Sequence, residues 1–262
     1  MQNCANCGGK KWFTKIDKKT GKQLKNSRGA LLWRCWRCGT VQTEPYLTVI
    51  PAVVRTGANI LYLDVEISKS AYFNYGRRVP TTYLRPDDLI HEYYMICWAA
   101  SYVGGKKVFS DCVSPPSARH WTDKQILRGL HDIMEGADII AGHNVDSYDL
   151  KKINTRFLLN GLKPIDKPTI DSLKIARARF AFEANDLDSL CRRFGIKGKD
   201  KITNEDWLSI VRDGDKKTLE KVDKYCQGDV RNGKKMFEIL LPYSRKKMNY
   251  GAVALQSLAK CK

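Results

Sequence analysis

The sequence predicts an α/β domain with a small metal-bound module at its amino terminus, and three observations predict it. Asn59–Ser68 (NILYLDVEIS) is an apolar, β-branched run of the length of a buried strand. Ile139–Ala141 is a short apolar segment that passes through Gly142–Asn144 into a pattern of helical spacing, giving strand, turn and helix in order. Four of the nine cysteines stand in two CxxC pairs, Cys4 with Cys7 and Cys35 with Cys38.

The composition fits this reading. Of 262 residues, 43% are hydrophobic and 28% charged, close to globular averages, which excludes wholesale disorder. The length allows one sizeable domain and a small accessory one. No stretch approaches the ~20 apolar residues of a membrane span. The start, MQNCANCGGKKW, lacks the apolar core of a secretion signal. A soluble, cytoplasmic protein without a membrane partner is therefore expected. The formal charge of +18 is unevenly spread: residues 1–50 carry ten bases and two acids, and residues 241–262 five bases and no acid. Two basic ends around a nearly balanced centre point to a polyanion, nucleic acid first.

The amino-terminal module is expected over residues 1–42. A CxxC turn directs two thiolates into one half of a tetrahedron, and a second knuckle completes a Cys4 site for one structural Zn2+, as in a zinc ribbon. Cys97, Cys112, Cys191, Cys226 and Cys261 read as scattered, and an odd total without an export signal argues for reduced thiols rather than bridges. The long interval between Cys7 and Cys35 suits a β-hairpin, Trp12–Ile16 running out and Ala30–Arg34 returning. So short a segment buries too little to fold alone, so metal binding supplies its stability. Lys10, Lys11, Lys15 and Trp12 combine charge for phosphates with a ring for stacking, a nucleic-acid grip. Residues 43–57, with Pro45 and Pro51, read as a linker or a strand laid along the next domain.

In the main domain, residues 58–241, Asp64 and Glu66 sit two apart on a strand and leave the same face. Adjacent carboxylates among apolar neighbours repel unless cations neutralise them, and hard oxygen donors favour Mg2+ or Mn2+; an exposed strand end is the alternative account of a DxE pair. Further strands are predicted at Tyr93–Tyr102 and Lys106–Ser110, joined as a tight hairpin by Gly104 and Gly105. Thr122 is the predicted N-cap of a helix running through Glu135. Leu150, Ile153 and Phe157 mark the helix after Ile139–Ala141. At the carboxyl end of that strand Asn144, Asp146 and Asp149 compete for a site role. Asp171, after a strand at Pro168–Ile170, is either another acid of the site or the cap of a helix. Late in the chain, Leu219, Val222, Cys226, Val230, Phe237 and Leu240 recur at helical spacing. Tyr225 and Asp229, i and i+4, share one face of that helix, where a bound cation or an ordinary salt bridge would account for the carboxylate. The basic tail, residues 242–262, suits an ordered helix, a nucleic-acid arm or a docking peptide alike.

Taken together these motifs resemble the DEDD 3′–5′ exonucleases, DnaQ-like members of the ribonuclease H-like fold. DxE is matched by Asp64 and Glu66. The pattern GHNVDSYDL offers Asn144 and Asp149, with Tyr148 in the place of a phenylalanine, and YxxxD is matched by Tyr225 and Asp229, as in the tyrosine (DEDDy) subclass. The resemblance implies a mixed sheet flanked by helices and metal-dependent hydrolysis of single-stranded DNA from 3′ ends with two Mg2+ or Mn2+ ions. Asp64, Glu66, Asp149 and Asp229 would be the ligands, Tyr225 would orient the attacking water, and Asn144 would contact the terminal nucleotide. The Cys4 module is not part of the minimal fold of that family. The alternatives are a ribonuclease or a structure-specific endonuclease of the same fold, or a non-catalytic nucleic-acid-binding zinc protein.

Overall fold

The computed structural model describes residues 12–14, 32–35, 41–43, 57–73, 85–198 and 201–244. The chain divides into two compact units, Met1–Ala52 and Val53–Lys262. In the first, β1 (Trp12–Thr14), β2 (Leu32–Cys35) and β3 (Val41–Thr43) form an antiparallel sheet in that order, Trp12 opposite Cys35 and Leu32 opposite Thr43. β1 and β2 overlap the two predicted hairpin strands. Cys4, Cys7, Cys38, Lys10, Lys11 and Lys15 lie outside the described residues, and Trp12 and Cys35 are described in their backbone alone.

The second unit is built on β4 (Ile60–Ile67). A short ribbon of β5 (Ala71–Tyr72) and β6 (Leu89–His91) follows, then β7 (Met95–Tyr102) and β8 (Phe109–Cys112). After helices α1 (Pro115–Arg119) and α2 (Lys124–Glu135) come β9 (Ile139–Gly142), α3 (Asp149–Leu159) and β10 (Thr169–Asp171). Four helices close the order: α4 (Ser172–Arg179), α5 (Leu187–Arg193), α6 (Asn204–Asp213) and α7 (Lys216–Leu240). The main sheet runs β10-β9-β4-β7-β8, with β10, β9 and β4 parallel and β7 and β8 antiparallel to their neighbours. It is a mixed sheet flanked by helices.

Strand alternation decides what each face carries. On β4, Leu61, Leu63 and Val65 are buried on one side. Tyr62, Asp64 and Glu66 leave the other, in register with Ser101, Ala99 and Cys97 of β7. That second face is covered by α7: the Tyr62 ring packs on Phe237 at 5.6 Å, and Cys97 Sγ donates to the Val222 carbonyl at 3.8 Å. Trp98, pointing the opposite way, donates its indole N–H to the Ile126 carbonyl of α2 at 2.9 Å. The apolar positions of α7 read from spacing (Leu219, Val222, Cys226, Val230, Phe237 and Leu240) are all buried. Asp215 caps the helix, accepting from the Thr218 amide at 2.7 Å.

Two local expectations are corrected. The β7–β8 connection is the six-residue stretch 103–108, not a tight hairpin at the glycines. Its backbone is drawn to α7 instead: the buried Lys234 ammonium donates to Ser101 Oγ at 2.7 Å and to the Gly105 carbonyl, and Glu238 accepts from the Gly104 amide at 3.2 Å. The N-cap of α2 is Asp123, not Thr122, and its carboxylate makes no cap bond. A more distant partner engages it. Asp123, fully buried, accepts from Arg156 Nε at 2.6 Å, Arg156 Nη2 at 2.9 Å and the Met95 amide at 2.9 Å. This fork ties α2, α3 and β7 together.

Removing one member of a buried ion pair leaves the other charged and unsolvated. Asp123→Ala should therefore destabilise the protein by about 3–5 kcal/mol, read as a lower urea midpoint, and Asp123→Ala/Arg156→Ala by less than the sum of the single changes. Additive losses would show that the pair does not couple.

Candidate metal centre

The site grows from the β4 face that α7 covers. Asp64 and Glu66 emerge there half-buried, with Cys226 on the facing turn of α7. One carboxylate oxygen of each acid and Cys226 Sγ all lie within 4.8 Å of one another. The Cys226 thiol donates to the main-chain oxygen of Asp64 at 3.5 Å, so strand and helix are joined at the acid itself. Asp229, one turn further along α7, is 2% exposed, and Tyr225 is half-buried on the same helix. Asp149 is 4% exposed in the first turn of α3.

The electrostatics show which acids share a neighbourhood. The Tyr62 phenol is held protonated well above its usual range, by burial first and then by the negative charges of Asp64, Asp149 and Asp229 among its neighbours. Burial pushes the Cys226 thiol up to about 12, against a lowering hydrogen bond from Cys97 and with Asp64, Glu66 and Asp229 adding to the rise. The Tyr148 phenol is raised by burial and then by Asp149, Glu66 and Asp64. Acids from β4, α3 and α7, three segments far apart in sequence, thus act on the same phenols and thiol, while the close group is Asp64 and Glu66 with Cys226.

Local backbone geometry delivers Asp149. At Gly142 a Cβ would lie 2.8 Å from Val145 Cβ and 3.1 Å from the Leu63 carbonyl, so only glycine lets the turn fold back over β4. Asn144 follows with φ of +69°, a left-handed conformation that asparagine tolerates. Asp171 secures the turn from outside: it caps α4, accepting from the Leu173 amide at 2.9 Å, and accepts from the amides of Asn144 at 2.9 Å and Asp146 at 3.4 Å. Of the two roles open to it, the structure shows the cap. Asp146 turns to Lys174, 2.6 Å away, on α4. Asn144 lines a cleft of about 550 Å³ that opens beside Asp64 and reaches α4 and the residues ahead of α5.

The matched region includes much of this framework. The family model of the RNase_H superfamily matches residues 91–241, more than half of the chain. The chain belongs to the RNase_H superfamily. The match takes in Asn144, Asp149, Tyr225 and Asp229 and starts after β4, so Asp64 and Glu66 precede it. Among curated proteins, a PolC-type DNA polymerase III of Ureaplasma parvum is 35% identical over 90 residues, 34% of this chain and 6% of that protein. A PolC-type DNA polymerase III of Pediococcus pentosaceus is 33% identical over 76 residues, 29% of this chain and 5% of that protein. The chain thus spans a small fraction of the curated relatives it matches. A solved family B DNA polymerase from the archaeon Pyrobaculum calidifontis shares the fold at a TM-score of 0.51 and 18% identity, covering 75% of this chain and 27% of the polymerase.

Sequence reasoning missed the sulfur and the tyrosine. Cys97 and Cys112, called scattered, are a register pair on β7 and β8. Burial and then contacts with Cys112 and Cys226 hold the Cys97 thiol protonated. The helical spacing that placed Cys226 on the inner stripe of α7 was the one available signal for that residue. The alternation of β4, which puts Tyr62 on the Asp64 face, was the signal for the tyrosine.

A thiolate is the form that alkylates. Cys97 and Cys226 are fully buried, and Cys226 stays protonated below about pH 12. Neither should therefore react with iodoacetamide at neutral to mildly alkaline pH until the protein is unfolded, a result peptide mass mapping reads directly. Native labelling of Cys226 would contradict its burial under Asp64.

Proposed function

We propose that the protein is a metal-dependent 3′–5′ exonuclease of the DEDDy type that hydrolyses single-stranded DNA, its amino-terminal module a Cys4 zinc ribbon. The observation that carries the reading is the close pair of Asp64 and Glu66 on the face of β4 under α7, with Asp149 and Asp229 buried where their charges reach the same Tyr62 phenol as Asp64. Adjacent carboxylates with further acids buried nearby are mutually repulsive without cations. Their oxygen donors fit hard ions such as Mg2+ or Mn2+. Cys226, protonated and hydrogen-bonded to the Asp64 carbonyl, fits the part of a structural neighbour better than that of a ligand. Similarity to two PolC-type DNA polymerases supports DNA as the substrate class.

In this reading Asp64, Glu66, Asp149 and Asp229 hold two divalent ions, which when bound supply an activated water and charge stabilisation for the leaving 3′ oxygen. Tyr225 accepts a hydrogen bond from the attacking water and aims it at the phosphorus. Its work in this reading is orientation of that water. Asn144, beside the cleft, contacts the terminal nucleotide. In the amino-terminal module, Cys4, Cys7, Cys35 and Cys38 hold Zn2+. Lys10, Lys11, Lys15 and Trp12 then grip the strand, the metal supplying the stability that so short a segment cannot draw from burial alone.

Asp64→Asn or Asp229→Asn should leave the circular dichroism unchanged and lower Mg2+-dependent degradation of 3′-ended single-stranded DNA by about a thousandfold or more. A ladder shortening from the 3′ end is the expected product pattern. A discrete internal cut, preference for RNA, or undiminished hydrolysis by both variants would overturn the assignment. Separately, Cys35→Ser should release zinc, measured by plasma emission spectroscopy, and weaken DNA binding. Unchanged zinc content would refute the Cys4 site.

A further inference from the structure

The cleft beside Asp64 carries an arginine without a counter-ion among the described residues. Helix α4 bears three cations. Lys174 is paired with Asp146 Oδ2 at 2.6 Å, and Arg179 donates Nε to the Tyr243 carbonyl at 2.9 Å. Arg177, exposed and lining the cleft with Leu173 one turn before it, makes no hydrogen bond or ion pair among the described residues. Besides Asp64, two acids line the same cleft, and both are engaged elsewhere. Asp186 caps α5 through the Ser189 amide at 2.9 Å, and Asp188 pairs with Arg192 at 2.9 Å. A second lining group also has capacity to spare. Asn185 Oδ1 is buried and accepts nothing among the described residues, while Nδ2 makes one long bond of 3.5 Å to the Phe182 carbonyl. The wall itself is fixed. The His143 ring bridges Ser172 Oγ, 3.0 Å from Nδ1, and the Asn185 carbonyl, 2.8 Å from Nε2, linking the turn after β9 to α4 and to the approach of α5.

A guanidinium left unpaired among the described residues and beside committed carboxylates, in a cavity that shares Asp64 with the acidic cluster, is arranged for an anion that arrives with the substrate. The geometry points to Arg177 as the residue that grips a backbone phosphate of the bound strand, with the cleft as the seat of the nucleotides next to the scissile bond. This rests on the exonuclease reading and names the group that would position its substrate. The planar fork suits two phosphate oxygens at once, which a lysine would not match.

The test uses the full chain and a short single-stranded oligothymidylate in Mg2+. Arg177→Gln should raise KM about tenfold with kcat within a few-fold, and flatten the dependence of log KM on log salt by about one phosphate contact. Arg177→Lys should recover part of the loss. Arg193→Gln removes one charge from the surface, where Arg193 pairs with the exposed Glu183, and should leave KM within twofold. Equal shifts for Arg177→Gln and Arg193→Gln, or a fall in kcat with KM unchanged, would overturn the assignment of Arg177 while leaving the exonuclease intact. A wild-type protein that neither binds nor cleaves the oligonucleotide would remove the reading beneath it as well.

Discussion

The contact of β4 with α7 is the constraint on which the rest of the structure depends. A strand that alternates apolar residues with Tyr62, Asp64 and Glu66 must send its polar set somewhere, and here that set goes under a 25-residue helix. Burying carboxylates costs several kcal/mol each unless they are compensated. The surrounding packing holds the acids at the seam all the same. Phe237 and Gly233 accommodate the Tyr62 ring, and Cys226 closes on the Asp64 backbone. Gly233 is itself a condition of that contact, since a Cβ there would lie 2.3 Å from the Tyr62 hydroxyl. The helix that completes the core is therefore also the element that carries Asp229 to the strand acids.

The remaining architecture serves to keep that seam in register. Lys234 and Glu238 fasten the distal half of α7 to the β7–β8 connection, and the Asp123–Arg156 fork fastens α3 to α2 and β7. Because Asp149 opens α3, the fork also fixes the third source of carboxylate. These anchors bond to backbone and side chains outside the acidic cluster. They act on it by limiting how far the three elements can slide.

Much of this was legible in the sequence wherever a feature is local or periodic. The β-branched run at Ile60–Ile67, the helical stripe of Leu219–Leu240 and the strand-turn-helix at Ile139–Phe157 all follow from side-chain period, which packing on one face enforces. The errors fell where a distant partner outranked a local preference. Thr122 has the right chemistry for a cap, but the cap position falls one residue later at Asp123, whose carboxylate is held by Arg156 and the Met95 amide instead of by α2. The glycines at 104 and 105 suit a two-residue turn, but Lys234 and Glu238 hold that backbone to α7. Cysteines 97, 112 and 226 read as scattered because strand register and helix docking, neither visible in spacing, bring them together. Cys4, Cys7, Cys38 and the amino-terminal lysines lie outside the described residues and Cys35 is described in its backbone alone, so their part rests on spacing and charge.

The acids after β9 show how a constellation of similar residues is sorted by structure. Asp146, Asp149 and Asp171 are close in space and alike in chemistry, and composition cannot rank them. Their partners can. Asp171 receives three backbone amides, which makes it the clamp of a turn that carries a left-handed asparagine. Asp146 faces a lysine on α4. Asp149, buried at the start of α3, instead shares its field with Asp64 and Asp229 at Tyr62. The clamp and the ion pair orient the turn, and the turn presents Asp149 to β4. A substitution at Asp171 would thus reach the cluster through backbone geometry, while one at Asp149 would change its charge. The two acids belong to different levels of the same construction.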